Sequence, residues 1–133
     1  MSKNDLDLRS TPTLNLAFVG DGVFDLLVRE RLARSSSAHV GELNKAKVAL
    51  VNCRSQAQAA QKLLPLLTEE EADVYRRGRN VKVNSASKHS TLSDYHAATG
   101  LEALFGYLYL KGESERINEL FALIIEEAAP AEG

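Results

Sequence analysis

The sequence predicts an all-α fold, on three observations. No stretch alternates polar and apolar residues with the period of two that a half-buried strand requires. Apolar residues recur instead at helical spacing, in long segments with capping signals at their ends. Proline and glycine are sparse, 3 and 8 among 133 residues, and several fall where those segments start or stop.

Thr11-Pro12 places an N-cap residue before a proline at the first helical position. From there to about Ala33 the chain is apolar on several faces, through Leu14, Leu16, Phe18, Val23, Phe24, Leu27 and Val28. A helix apolar nearly all round is buried, by its own domain or by a partner chain. Arg34-Ser-Ser-Ser interrupts the pattern. A second helix is expected from His39 or Gly41 to Leu64, ended by Pro65, with a stripe through Leu43, Ala46, Val48, Leu50, Val51, Ala57, Ala60 and Leu64. Thr68 and Glu71 form a capping box that opens a third helix, to about Arg77. Gly78 to Leu92 reads as irregular. A fourth helix starts near Ser93 or Asp94 and stops at Gly112, with Ala97, Leu101, Leu104, Phe105 and Leu108 on one stripe. The last runs from about Ser114 to Ala128, with Ile117, Leu120, Phe121 and Ile124 on one side. The expectation is five main helices or six, in one domain over residues 12–128 between tails at 1–11 and 129–133.

Hydrophobic residues are 44% of the chain and charged residues 26%, which are globular proportions. A net charge of −2 argues against gripping nucleic acid with the whole surface, but allows a local basic patch. The single cysteine, Cys53, fits a reducing compartment and reads as a small buried hydrophobe. No signal-peptide core or membrane-length apolar run is present. A soluble protein is expected, cytoplasmic or organellar, with no membrane partner.

Asp21 is the oddest residue. It stands in Phe18-Val-Gly-Asp-Gly-Val-Phe24, where every neighbour is apolar or glycine. Burying a lone carboxylate costs several kcal/mol unless a cation or hydrogen bonds compensate. Each flanking glycine costs a helix about 1 kcal/mol relative to alanine. Such a segment suits a close backbone approach beside a needed charge. Two readings stay open: a metal or catalytic carboxylate, or an aspartate that caps or pairs with a buried arginine. Glu102 repeats the theme as the one charge in Ala98–Gly106, again with two glycines. Two carboxylates on two packed helices would suffice for Mg²⁺, which keeps several waters and takes substrate phosphate oxygens. Asp25 shares a face with Asp21 and could assist, but an i,i+4 salt bridge to Arg29 is the favoured reading. Glu42 is a weaker candidate, because acids at a helix start are ordinary dipole partners.

Between Tyr75 and Ser93 lie five cations and no acid: Arg76, Arg77, Arg79, Lys82 and Lys88. With Asn80, Asn84, His89 and several serines, this density suits contact with a phosphate backbone. The bland alternative is a solvated loop whose arginines pair with the acidic helix start just before it. His39, His89 and His96 share no ligand spacing, so zinc is not expected. His96 reads as helix surface.

These residues resemble a family. Leu16-Ala-Phe-Val-Gly-Asp-Gly-Val-Phe-Asp25 is similar to the signature helix of the ribonuclease III catalytic domain. Leu101-Glu-Ala-Leu-Phe-Gly-Tyr-Leu-Tyr-Leu110 is similar to its second acidic helix. Tyr75-Arg-Arg-Gly-Arg-Asn-Val-Lys82 is closer to the Mini-III branch, which lacks a double-stranded RNA-binding domain. Three motifs in order, over residues 12–127, make the resemblance specific. It implies a helical bundle of that catalytic-domain type, a homodimer and Mg²⁺-dependent cleavage of double-stranded RNA to 5′-phosphate and 3′-hydroxyl ends. For the Mini-III branch it implies maturation of 23S ribosomal RNA precursor. By motif position, Asp21 and Glu102 are the catalytic, metal-binding pair. Acids of the full-length pattern are missing at Leu14, Ala17, Thr99 and near Val40, as in Mini-III, so water and RNA phosphate must supply more of the metal's shell.

The expected chemistry is hydrolysis of a phosphodiester assisted by Mg²⁺. Arg76, Arg77, Arg79, Asn80, Lys82 and Lys88 would contact the RNA, and the glycine-flanked first helix is a natural dimer contact. A site preference or a helper, such as a ribosomal protein, is expected to supplement modest affinity. Two other classes compete. One is a non-catalytic helical module that binds RNA or a ribosome-assembly partner. The other is an all-α nucleotide pyrophosphohydrolase, whose paired glutamates the cluster Glu69–Asp73 imitates poorly, being better explained as a helix start.

Overall fold

The computed structural model describes residues 8, 10–35, 39–81 and 91–128. Among them are six α-helices and no strand: α1 (Thr13–Ser35), α2 (Val40–Leu50), α3 (Cys53–Leu63), α4 (Glu69–Arg79), α5 (Leu92–Lys111) and α6 (Ser114–Ala128). A 3₁₀ turn, Leu64–Leu66, follows α3 and contains Pro65 near its start.

The bundle is organised around α5, which packs on α1, α3, α4 and α6. Its buried residues face several directions, from Ala97 and Thr99 to Leu104, Phe105 and Leu108. A helix enclosed on most sides must be apolar all round, as this one is. The main core joins Phe24 and Val28 of α1, Leu63 of α3, Leu101, Leu104 and Phe105 of α5, and Leu120, Phe121 and Ile124 of α6. Phe24 sits between Phe105 and Phe121, with ring centroids 5.6 and 5.8 Å away. The expected stripes of α5 and α6 are therefore the core.

Helix ends follow local chemistry. The capping box at Thr68 is present: its hydroxyl accepts from the Glu71 amide at 3.1 Å, and Glu71 accepts from the Thr68 amide at 2.9 Å. Thr91 caps α5 by accepting from the Asp94 amide, so α5 starts slightly earlier than expected. Gly112 ends it in the left-handed region, φ +83°, where a side chain would be strained.

Several expectations need correction. The long second helix is two helices, broken at Val51-Asn52. The Asn52 side chain accepts from the Ser55 amide at 2.9 Å and donates to the Val48 and Ala49 carbonyls at 2.9 and 3.0 Å. One side chain thus opens α3 and satisfies the end of α2. The stripe expected on the first half is not core: no residue of α2 is buried. The first helix is only partly enclosed by its own domain: Leu14, Phe18 and Leu26 are exposed, which leaves that face to the partner chain the sequence reading allowed. Finally, the basic segment begins on a helix, because α4 continues to Arg79. His96, expected at the surface, is half-buried, and its Nδ1 is enclosed without a partner among the described residues.

Candidate active site

The two lone acids meet because two backbones cross closely. A Cβ built on Gly20 would lie 1.6 Å from the Glu102 carbonyl oxygen, and one on Gly106 would lie 1.9 Å from the Leu16 carbonyl oxygen. Only glycine at both positions allows α1 and α5 to approach this far. The crossing brings Asp21, next to Gly20, up to Glu102. The glycine cost paid by α1 is thus explained inside the chain, not by a dimer contact at Gly20. Gly22 has nothing near its missing Cβ.

Asp21 and Glu102 line one open cleft of about 350 Å³, with Gln56 and Cys53 from α3 and Tyr95 and Thr99 from α5. Asp21 is exposed and Glu102 partly buried. Asp21 is within hydrogen-bonding reach of Glu102. The one other side-chain partner of Glu102 among the described residues is neutral: Gln56 Nε2 donates to its Oε2 at 3.4 Å. Burial, then the hydrogen bond and charge of Asp21, push the Glu102 carboxyl up from 4.5 to about 8, with Gln56 opposing weakly. A carboxylate that is disfavoured by burial and by a neighbouring anion is a strong receptor for a cation.

The acids missing from the longer family pattern also map here. Ala17 and Thr99 both line the cleft. The Thr99 hydroxyl donates to the Tyr95 carbonyl at 3.0 Å, as is common within a helix. Among the described residues no three His, Cys, Asp or Glu side chains gather closely enough to hold an ion. The donor set is two carboxylates, which fits Mg²⁺ with its waters and a substrate phosphate, and does not fit an ion caged wholly by protein.

The other candidates lie elsewhere. Asp25 pairs with Arg29 at 2.6 Å, as favoured from the sequence, and with Lys47 at 3.1 Å. Those cations hold its carboxyl below the usual range against the opposing effect of burial. Glu42 is exposed in the first turn of α2. Arg76 and Arg77 both pair with Asp73, at 2.7 and 3.5 Å, so for these two the pairing of the bland alternative is present. Arg79 is exposed, and Asn80 ends α4 by donating its amide to the Arg76 carbonyl. Lys82, Lys88, His89 and both expected tails except parts of the first lie outside the described residues. Cys53 is not the buried hydrophobe expected but a half-buried residue at the mouth of the cleft. Gln56 is the site residue the sequence does not single out. Its signal is faint: an amide in the buried face of α3, otherwise Ala57, Ala59, Ala60 and Leu63.

Similarity to known proteins identifies the family. The Ribonuclease III domain model matches residues 14–113. A Mini-ribonuclease 3 of Symbiobacterium thermophilum is 44% identical over 109 residues, 82% of this chain and 84% of that one. Another, of Brevibacillus brevis, is 40% identical over 134 residues, 96% of this chain and all of its own length. A crystal structure of a protein from Fusobacterium nucleatum superposes with a TM-score of 0.83 at 30% identity, covering 92% of this chain and 98% of that one. The chain belongs to the ribonuclease III family of endoribonucleases, within its Mini-ribonuclease 3 branch.

Proposed function

We propose that the protein is a Mg²⁺-dependent endoribonuclease that cleaves double-stranded RNA, with Asp21 and Glu102 as the catalytic, metal-binding pair. The carrying observation is their convergence in one cleft, with a neutral amide as the only other side-chain partner of Glu102 among the described residues. A divalent ion bound there would polarise the scissile phosphate and make an attacking water more acidic. Asp21 and Glu102 orient that ion, and the open cleft leaves room for the RNA phosphate to join them. Hydrolysis places the water oxygen on phosphorus and expels the ribose 3′-oxygen, giving 5′-phosphate and 3′-hydroxyl ends.

RNA contact by the end of α4 is part of this reading. Gly78 packs against Thr99 and Ala103, in the turns of α5 that flank Glu102, so the end of α4 that carries Arg79 and Asn80 runs beside this part of α5. The pairs of Arg76 and Arg77 with Asp73 are solvent-exposed, worth about 0–1 kcal/mol, so an RNA phosphate can recruit both arginines. Lys82 and Lys88 would extend the same strip. A homodimer is supported by Phe18, 82% exposed, and Leu14, 50% exposed, which form an apolar lip on the cleft. A second copy covering that lip would set two clefts across a duplex. We place the protein in the cytoplasm, acting on 23S ribosomal RNA precursor with a ribosomal protein as the candidate helper.

The test is cleavage of long duplex RNA and of ribosomal precursor with and without Mg²⁺, by wild type and Asp21→Asn. Wild type should cut only with the metal, and Asp21→Asn should bind RNA without cutting. Normal cutting by Asp21→Asn removes the assignment. In the same assay, alanine at Arg76, Arg77 and Arg79 should weaken binding and flatten its salt dependence.

A further inference from the structure

Gln56 is 3% exposed, on the face of α3 that packs against α5. Its neighbours on that face are three alanines and a leucine, so shape alone would be served by an apolar side chain. A buried amide is costly to leave without a partner. This one points its donor at Glu102 Oε2, 3.4 Å away. The separation is at the long end of the hydrogen-bond range, so the contact adds little stability of its own.

Other buried or half-buried acids in the molecule are handled differently. Glu71 is gripped by Arg116 at 2.8 Å, and Asp25 by Arg29 and Lys47. A cation in the place of Gln56 would satisfy Glu102 equally well and would compete with a metal for its charge. A neutral donor holds one oxygen and leaves the carboxylate's charge for a metal to match.

We propose that Gln56 is a positioning residue of the metal site: its side-chain amide holds one oxygen of Glu102 so that the carboxylate is presented with Asp21 to a divalent cation. The role rests on the metal-dependent reading above and acts entirely through Glu102. Supporting groups that orient a metal's carboxylate or imidazole ligands typically change metal affinity 10–100-fold.

The test uses the full chain and Mn²⁺ as the probe, read by its electron paramagnetic resonance signal, beside cleavage at increasing Mg²⁺. Gln56→Met keeps the length and removes the donor. Its Mn²⁺ dissociation constant and the Mg²⁺ concentration for half-maximal cleavage should each rise roughly tenfold. Cleavage at saturating Mg²⁺ should recover to near the wild-type rate. Gln56→Lys should bind Mn²⁺ more weakly still, although its ion pair with Glu102 keeps the metal-free protein folded. A packing role predicts the opposite pattern, with thermal stability lost in both variants and unchanged Mn²⁺ affinity in the folded fraction; that result overturns the proposal. Equal Mn²⁺ affinity in wild type and Gln56→Met overturns it too. Failure of wild type itself to bind Mn²⁺ or to need a divalent ion overturns the underlying metal reading, and is told apart because no variant is involved.

Discussion

Glu71 and Glu102 are both glutamates drawn into the interior from helices that touch α5 or belong to it, and their surroundings treat them oppositely. Glu71 is 6% exposed and fully matched. It accepts from the Thr68 amide, and both its oxygens take guanidinium donors of Arg116 at 2.8 Å. Arg116 also reaches the Leu66 carbonyl and Glu119, tying α6 to the start of α4. The result is a carboxyl held below its ordinary range, chiefly by the Arg116 hydrogen bonds. Among the described residues Glu102 has no such cation: its side-chain partners there are Asp21 and Gln56, and its carboxyl rises to about 8. The difference separates a joint from a receptor. A matched acid stabilises the fold, whereas an acid left short of positive charge costs stability and can bind a cation.

The widest separation of the two glutamates should come from paired substitutions. Glu102→Gln is expected to lower duplex-RNA cleavage about a thousandfold, roughly 4 kcal/mol of transition-state stabilisation. Its metal-free thermal midpoint at pH 8 should not fall. Glu71→Gln is expected to cost ~2 kcal/mol of stability, from a charged hydrogen-bond network, with the folded enzyme still cutting. Calorimetry and a cleavage assay on both proteins check the pair. Reversed results would mean that the roles have been exchanged.

Gly20→Ala probes what brings Glu102 to its partner. With backbone only 1.6 Å from the new Cβ, the helices must part. The loss should exceed the ~1–3 kcal/mol of ordinary overpacking, and cleavage should fall even where the protein stays folded. Chemical denaturation and circular dichroism measure the first effect. Gly22→Ala, in open space, should show neither.

The pH dependence of metal-free stability should carry both signs. Glu102 holds its proton more tightly folded than unfolded, so its contribution is complete below pH 4.5 and is lost as pH rises toward about 8. Each pH unit of that window is worth at most ~1.4 kcal/mol. Glu71 is displaced downward, so its contribution is present above 4.5 and is lost as pH falls through its lower folded value. Thermal melts across pH should lose the alkaline slope in Glu102→Gln and part of the acid slope in Glu71→Gln. Added Mg²⁺ should flatten the alkaline slope of wild type.

The smallest effect belongs to Asp25, four residues from Asp21 but held by two cations. Asp25→Asn should cost about 1 kcal/mol, since its pair with Arg29 faces solvent while Lys47 is half-buried, and should leave the cleavage rate within about twofold. A large loss of cleavage would bring Asp25 into the site.

Much of this was legible in the chain, for identifiable reasons. The capping box at Thr68 and Glu71, the stop at Gly112 and the stripes of α5 and α6 depend on residues a few positions apart. The break at Asn52 is equally local, with an N-cap residue three before Ser55, but the apolar pattern of the flanking helices runs through it and conceals it. For Arg76 and Arg77 the pairing that the sequence allowed, with the acidic helix start just before them, is present: Asp73 stands one turn back, because a helix brings i−3 and i−4 to the same face.

By itself the sequence determined that this would be a helical protein with two misplaced acids, since periodicity, caps and the burial cost of a lone carboxylate are properties of short segments. Only the tertiary structure decided that Asp21 and Glu102 share a cleft and that Gln56 attends one of them. That meeting depends on how closely α1 and α5 cross at Gly20 and Gly106 and on where α3 packs. Contacts between distant segments are set by the packing of whole helices, which no local pattern specifies.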